Sequence, residues 1–157
     1  MLRIALYQPD IPQNTGTILR MAACLDVAVD IIEPAGFQLG DARFRRALMD
    51  YGANLDMTRH DDWERFQQSL GTRRLILLTT KADRSVYEAE LRPDDVLLLG
   101  RESSGVPDHV HQRADLRIAI PMESAARSLN IAVAGAMVLG EALRQTGGFG
   151  EIGVSTP

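Results

Sequence analysis

Cysteine is nearly absent from the 157-residue chain: Cys24 is the only one. That excludes an intramolecular disulfide and any zinc site of the usual multi-cysteine kind, and it suits a reducing compartment. Long apolar runs are missing too, since none approaches the roughly 20 residues that cross a bilayer. The opening Met1 to Tyr7 is short and is followed at once by Gln8, Pro9 and Asp10, which does not read as a secretory signal. The cytoplasm is the expected location, with no membrane partner.

Excess positive charge is lacking. Lys and Arg number 17 against 21 Asp and Glu, a net charge of -4, so no whole-molecule field draws nucleic acid and any RNA contact must be local. Lysine itself is reduced to Lys81, and every other basic residue is an arginine. Arginine suits bidentate phosphate recognition, although a genomic compositional bias accounts for the same preference more simply. Internal repeats and low-complexity segments are missing as well. The length fits one compact domain over residues 1–157, with a flexible tail from about Gly148.

Apolar runs with β-branched content recur at Ile4 to Tyr7, Val27 to Ile32, Leu75 to Thr79, Val96 to Leu99 and Arg117 to Ile120, with a weaker candidate at Ala53 to Thr58. Most are continuous rather than alternating, the pattern of strands buried on both faces of a parallel sheet. Helical patterns lie between them at Asn14 to Leu25, Asp41 to Met49 and Asp61 to Ser69, and a long one runs from Ser128 to Arg144. This alternation predicts a three-layer α/β/α fold with a mostly parallel sheet, whose ligands sit beyond the carboxyl ends of the strands. The last helix is apolar all round from Leu129 to Leu139, so it should be covered on every side. Its small residues Ala132, Ala136 and Gly140 form a ridge that another helix could approach, and a second copy of the chain is the natural partner.

Three loops follow predicted strands. The segment Gly100-Arg101-Glu102-Ser103-Ser104-Gly105 invites comparison with a phosphate loop but lacks the Lys and Ser or Thr of a P-loop and the glycine spacing of a dinucleotide fingerprint, which argues against ATP and NAD. A tight turn with Pro107 opening a short helix is the plain alternative, though a turn alone would not require Glu102. Asn14 reads as an N-cap, with Arg20 nearly two turns further on; together an amide and a guanidinium could clamp a phosphate or ribose. Ser128 and Asn130 open the long helix after Ile120-Pro121-Met122. His109 and His111, two residues apart, cannot face one point from a helix, so no metal is expected. The cluster Arg43, Arg45 and Arg46 reads as a solvated helix face ahead of an RNA contact.

Taken in order, Asn14-Thr15-Gly16-Thr17-Ile18-Leu19-Arg20, Leu97 to Pro107, and Ile118 to Met122 with Ser128-Leu129-Asn130 resemble the three signature motifs of the SPOUT trefoil-knot RNA methyltransferases. The opening Ile4 to Asn14 and Ile31 to Phe37 are similar to the minimal subfamily that methylates the ribose 2'-hydroxyl at the tRNA wobble position. The resemblance implies a knotted C-terminal part, a homodimer, S-adenosylmethionine as cofactor, and the anticodon loop of tRNA, at a wobble cytidine or modified uridine, as partner. It assigns Leu78, Thr79, Gly100, Glu102, Ile120, Met122, Ser128 and Leu129 to the cofactor pocket, Arg20 to catalysis, and Asn14 and Asn130 to the substrate. Arg101 and Ala126 depart from the family pattern, where proline and a small polar residue are usual. Another RNA substrate such as ribosomal RNA, or a non-catalytic RNA-binding module of the same fold, remains open at this point.

Overall fold

The computed structural model describes residues 1–38, 55–82 and 84–151. Among them seven strands form one sheet: β1 (Arg3–Tyr7), β2 (Ala28–Ile32), β3 (Met57–His60), β4 (Leu75–Leu78), β5 (Arg84–Ser85), β6 (Val96–Leu99) and β7 (Leu116–Ala119). Their order is β3-β2-β1-β6-β4-β7-β5, and every pairing is parallel. The helices are α1 (Pro12–Cys24), α2 (Trp63–Leu70), α3 (Asp108–Arg113) and α4 (Ile131–Thr146), with a short 3-10 turn at Val86–Glu88.

The continuous apolar runs are explained by two cores, one on each face of the sheet. Side chains alternate along a strand, so Ile4, Leu6, Val29, Ile31, Leu97 and Leu99 join Ile18 and Leu19 of α1 and Val138 and Leu139 of α4. Ala5, Tyr7, Ile32, Leu75, Leu77 and Leu98 join Trp63, Phe66 and Leu70 of α2 and Val110 of α3. This is the predicted three-layer α/β/α arrangement.

Several boundaries differ from the sequence expectation, each for a local reason. Helix α1 starts at Pro12 with Ile11 as its N-cap, because proline suits the first helical position, where its missing N–H would have had no partner. Asn14 is therefore inside the helix and does not cap it. Helix α4 begins at Ile131 rather than Ser128, because the Asn130 side-chain Oδ1 accepts from the N–H groups of Ala132 and Val133. The weak strand expected at Ala53 to Thr58 is realised as β3 from Met57, with Ala53 and Asn54 outside the described residues. The helix expected at Asp41 to Met49 and the Arg43, Arg45 and Arg46 cluster also lie outside them. The two-residue β5 is too short to leave a periodic pattern.

The apolar sequence of α4 predicts that something other than its own sheet must cover it. Within one chain the helix is not covered all round, for Val133 is 52% and Met137 38% exposed. The small-residue ridge does not act as one contact: Ala132 is buried, Ala136 is exposed, and a side chain at Gly140 would meet nothing within 4 Å. Close approach happens instead at Gly135, where a Cβ would stand 2.9 Å from Leu99 Cδ1.

Charge enters the fold at the amino ends of the strands. Fully buried Asp95, just before β6, accepts from Arg74 Nε at 2.9 Å, from an Arg74 terminal nitrogen at 2.8 Å and from the Arg92 N–H at 2.8 Å. Removing one partner of such a buried pair strands the other charge. Asp95→Ala is expected to lower unfolding stability by about 3 kcal/mol, read as a lower urea midpoint with an unchanged slope.

Candidate active site

Strands β1, β6, β4 and β7 are neighbours and parallel, so the loops that leave their carboxyl ends share one edge. Two adjoining cavities open there. One, of about 100 Å³, is lined by Leu78, Thr79, Thr80, Ala119, Ile120, Met122, Leu129, Ile131 and Ala134. The other, of about 200 Å³, shares Leu78, Thr79, Thr80 and Ile131 and adds Gly100, Arg101, Glu102, Gly105, Val106 and Ser128. All eight residues assigned to the cofactor by resemblance line one or both. The first cavity is apolar with two threonine hydroxyls at its side, a wall for a flat heterocycle; the second brings a carboxyl and a serine hydroxyl. A larger cavity at the opposite edge of the sheet, lined by Met1, Cys24, Asp26, Pro93 and Phe149 among others, holds none of these residues.

The turn after β6 is built by glycine. Arg101 and Gly105 exchange two backbone hydrogen bonds of 2.9 Å, and Gly105 adopts φ +67. A Cβ at Gly100 would lie 2.8 Å from the Gly105 carbonyl carbon, so no larger residue closes this turn. The plain reading of the segment as a tight turn is therefore correct, with Pro107 leading into α3. Glu102 has a partner that the sequence reading missed. Its N–H donates to Asp10 Oδ1 at 3.1 Å, and the Asp10 N–H donates to Glu102 Oε2 at 3.2 Å. Ser103 Oγ donates to Asp10 Oδ2. Burial, then the hydrogen bond with Asp10, holds the Glu102 carboxyl above the ordinary carboxylate range. The hydrogen bond with Glu102 brings Asp10 down to about 2, helped by Ser103 and the Glu102 N–H. The available signal was topological: Asp10 and Glu102 follow strands that pair side by side.

Asn14 and Asn130, 116 residues apart, meet directly: Asn130 Nδ2 donates to Asn14 Oδ1 at 3.0 Å. Asn130 thus caps α4 and ties it to α1 with the same side chain. Arg20 lines neither cavity. It lies roughly 9 Å along α1 from Asn14 at 1.5 Å per residue, on the exposed side of the helix with Gln13, Thr17 and Cys24. The histidines part as expected: His109 meets the Trp63 ring edge-on at 6.4 Å, while His111 lines a different cavity with Lys81 and Asp108. Among the described residues no three His, Cys, Asp or Glu side chains are grouped to hold a metal ion, and no helix is long and apolar enough to cross a membrane.

Residues 1–140 match the family model described as SpoU rRNA Methylase family. A tRNA (cytidine(34)-2'-O)-methyltransferase of Beijerinckia indica subsp. indica is 55% identical over 151 residues, covering 95% of this chain and 94% of the relative. The protein of the same name from Escherichia coli strain K12 is 40% identical over 149 residues, covering 94% and 95%. A solved structure described as "Structural insights into the 2-OH methylation of C/U34 on tRNA" has a TM-score of 0.88 at 40% identity, covering 92% of this chain and 95% of that one. The SpoU methyltransferase AviRb from Streptomyces viridochromogenes, in complex with the cofactor AdoMet, has a TM-score of 0.78 at 26% identity, covering 92% of this chain and 60% of that one.

The double duty of Asn130 can be separated by substitution. Asn130→Ala removes cap and tie together and is expected to cost about 1 kcal/mol in thermal unfolding. Asn130→Asp keeps the cap acceptor but has no amide to donate to Asn14, and should stay within about 0.5 kcal/mol of the natural chain. Equal losses in the two variants would place the stability in the tie rather than the cap.

Proposed function

The chain belongs to the SpoU rRNA methylase family, and from that premise we propose that two copies of it transfer a methyl group from S-adenosylmethionine to the ribose 2'-hydroxyl of nucleotide 34 of tRNA, a cytidine or modified uridine in the anticodon loop. The observation that carries this reading is the relative 55% identical across 95% of the chain. A ribosomal RNA substrate and a non-catalytic role are less well supported, since both relatives named above carry the tRNA activity in their names at nearly equal length.

The residues present fit the cofactor. Leu78, Ile120, Met122 and Leu129 form an apolar slot for the adenine, while Thr79, Glu102 and Ser128 offer hydrogen-bonding groups at its polar side, and Gly100 leaves room for the turn to close. S-adenosylmethionine supplies a methyl carbon on a positively charged sulfur, open to in-line displacement by an oxygen. The chain's part is then orientation and charge. Asn14 and Asn130, already hydrogen-bonded to each other, are the amides assigned to hold the acceptor ribose, a role their side-chain donors and acceptors suit. A guanidinium holds its proton too tightly to serve as a base; Arg20 stabilises negative charge growing on the 2'-oxygen, whose proton leaves to solvent.

Pairing of two copies completes the site. Val133, Ala136 and Met137 are exposed along α4, which packs against α1, the helix that carries Arg20. Burying these residues against a second copy covers them and brings the partner's surface over Arg20, which one chain leaves away from its own cavities. The family reading also implies that the C-terminal part is threaded as a trefoil knot, and that the protein works in the cytoplasm, where tRNA is modified.

Two variants test this. Arg20→Ala should leave S-adenosylmethionine affinity within about twofold by calorimetry while single-turnover methylation of tRNA falls ~100 to 1,000-fold; near-normal turnover would remove Arg20 from the mechanism. Ala136→Arg should give a folded chain, since Ala136 is exposed within one copy, that sediments as a monomer at micromolar concentration because an unpaired arginine cannot be buried at a packed contact. An Ala136→Arg dimer would contradict the proposed interface.

A further inference from the structure

Asp10 lines neither of the two cavities, yet its contacts fasten the loop after β1 to the turn after β6. Each of the two residues Asp10 and Glu102 donates its backbone N–H to the carboxyl of the other, at 3.2 and 3.1 Å. Ser103 adds a hydroxyl to the same Asp10 carboxylate, and Arg101 Nε stands 3.7 Å from it. The Arg101 guanidinium also reaches Gln8 Oε1 at 3.5 Å. From the other side the segment 33–37 closes in: the Gly36 N–H donates to the Pro9 carbonyl at 2.8 Å, and a Cβ at Gly36 would lie 2.9 Å from Asp10 Cβ. Asp10 is thus held from behind by backbone and faces a turn whose Gly100, Glu102 and Gly105 form a wall of the larger cavity.

We propose that Asp10 is a positioning residue for the ligand of that cavity, setting the Glu102 carboxyl and the 101–105 turn through these reciprocal hydrogen bonds. In taking the ligand to be S-adenosylmethionine, the proposal rests on the functional reading above. A carboxylate accepts from the Glu102 N–H and the Ser103 hydroxyl on separate oxygens at once, whereas its amide keeps the first acceptor and meets Ser103 only by donating to the hydroxyl oxygen. Two carboxyls held together by hydrogen bonds stay so when one keeps its proton, and the Arg101 guanidinium stands beside the ionised one. The half-buried Glu102 is the carboxyl that holds the proton more tightly, and Asp10 is the ionised one. The interaction that positions the turn therefore also sets the charge that Glu102 presents to the cavity.

The test uses the full chain with Asp10→Ala and Asp10→Asn and two readouts. Amide hydrogen exchange at Arg101 and Gly105, whose N–H groups close the turn, is followed without ligand, and S-adenosylmethionine affinity is titrated by calorimetry from about pH 5 to 8. Asp10→Ala is expected to speed exchange at both amides about tenfold and to weaken S-adenosylmethionine about tenfold. Asp10→Asn should keep both within about twofold at neutral pH, since its amide still accepts from the Glu102 N–H and can donate to the Glu102 carboxylate. With a neighbouring negative charge gone, Glu102 should ionise at lower pH, and the pH dependence of affinity should move down with it. Wild-type exchange and affinity in Asp10→Ala would overturn the proposal, as would equal losses in both variants with an unmoved pH profile, the mark of a residue that only fills space. Failure of the natural chain to bind S-adenosylmethionine would instead remove the functional reading, and the exchange rates of the turn would then decide the role of Asp10.

Discussion

Parallel pairing of β1 with β6, β6 with β4, and β4 with β7 is the constraint on which the rest depends. Parallel strands cannot be joined by tight hairpins, so each connection must cross over the sheet and return to the same starting edge. The carboxyl ends, and the loops that leave them, are thereby collected along the other edge. That is why Thr79, Glu102 and Ile120, widely separated in the chain, come to surround two adjoining cavities, with Asp10 behind Glu102. The apolar filling of both faces fixes the register, because sliding a strand by one residue would exchange the contents of the two cores.

The polar ties do a different job. Burial of aliphatic side chains holds the sheet together but says little about where an individual loop ends. The Asn14–Asn130 and Asp10–Glu102 contacts do, since each joins two loops or helix ends over a separation of about ninety residues or more with defined donor and acceptor atoms. Both lie at the carboxyl edge. By contrast the Arg74–Asp95 pair and the buried Arg3–Asp30–His60 cluster serve stability within the sheet layers and contribute no cavity wall to the two at that edge.

Much of the architecture was legible in the sequence because doubly buried strands leave continuous runs such as Val96 to Leu99, and a long apolar helix such as α4 leaves a continuous block. The motif residues were legible because glycine and proline at Gly100, Gly105 and Pro107 announce a turn. What was not legible depended on distance in the chain. Nothing local marks Asp10 as the partner of Glu102, or Asn14 as the acceptor for Asn130 rather than a cap. What covers α4 was not legible for a related reason: hydropathy records which residues avoid water, not whether the same chain or another copy excludes it from Val133 and Met137. Gly135 was passed over in favour of a regular small-residue ridge, although the close contact with Leu99 needs one glycine only.

The central claim is that these cavities and the polar residues beside them serve methyl transfer to one ribose of tRNA. It is tested most directly by incubating the purified chain with S-adenosylmethionine and unmodified total tRNA and mapping 2'-O-methyl groups along the products. The account predicts methylation confined to nucleotide 34 of a subset of tRNAs, with none when S-adenosylmethionine is omitted. Methyl groups at another position, on a base rather than a ribose, or on ribosomal RNA in preference to tRNA would contradict it.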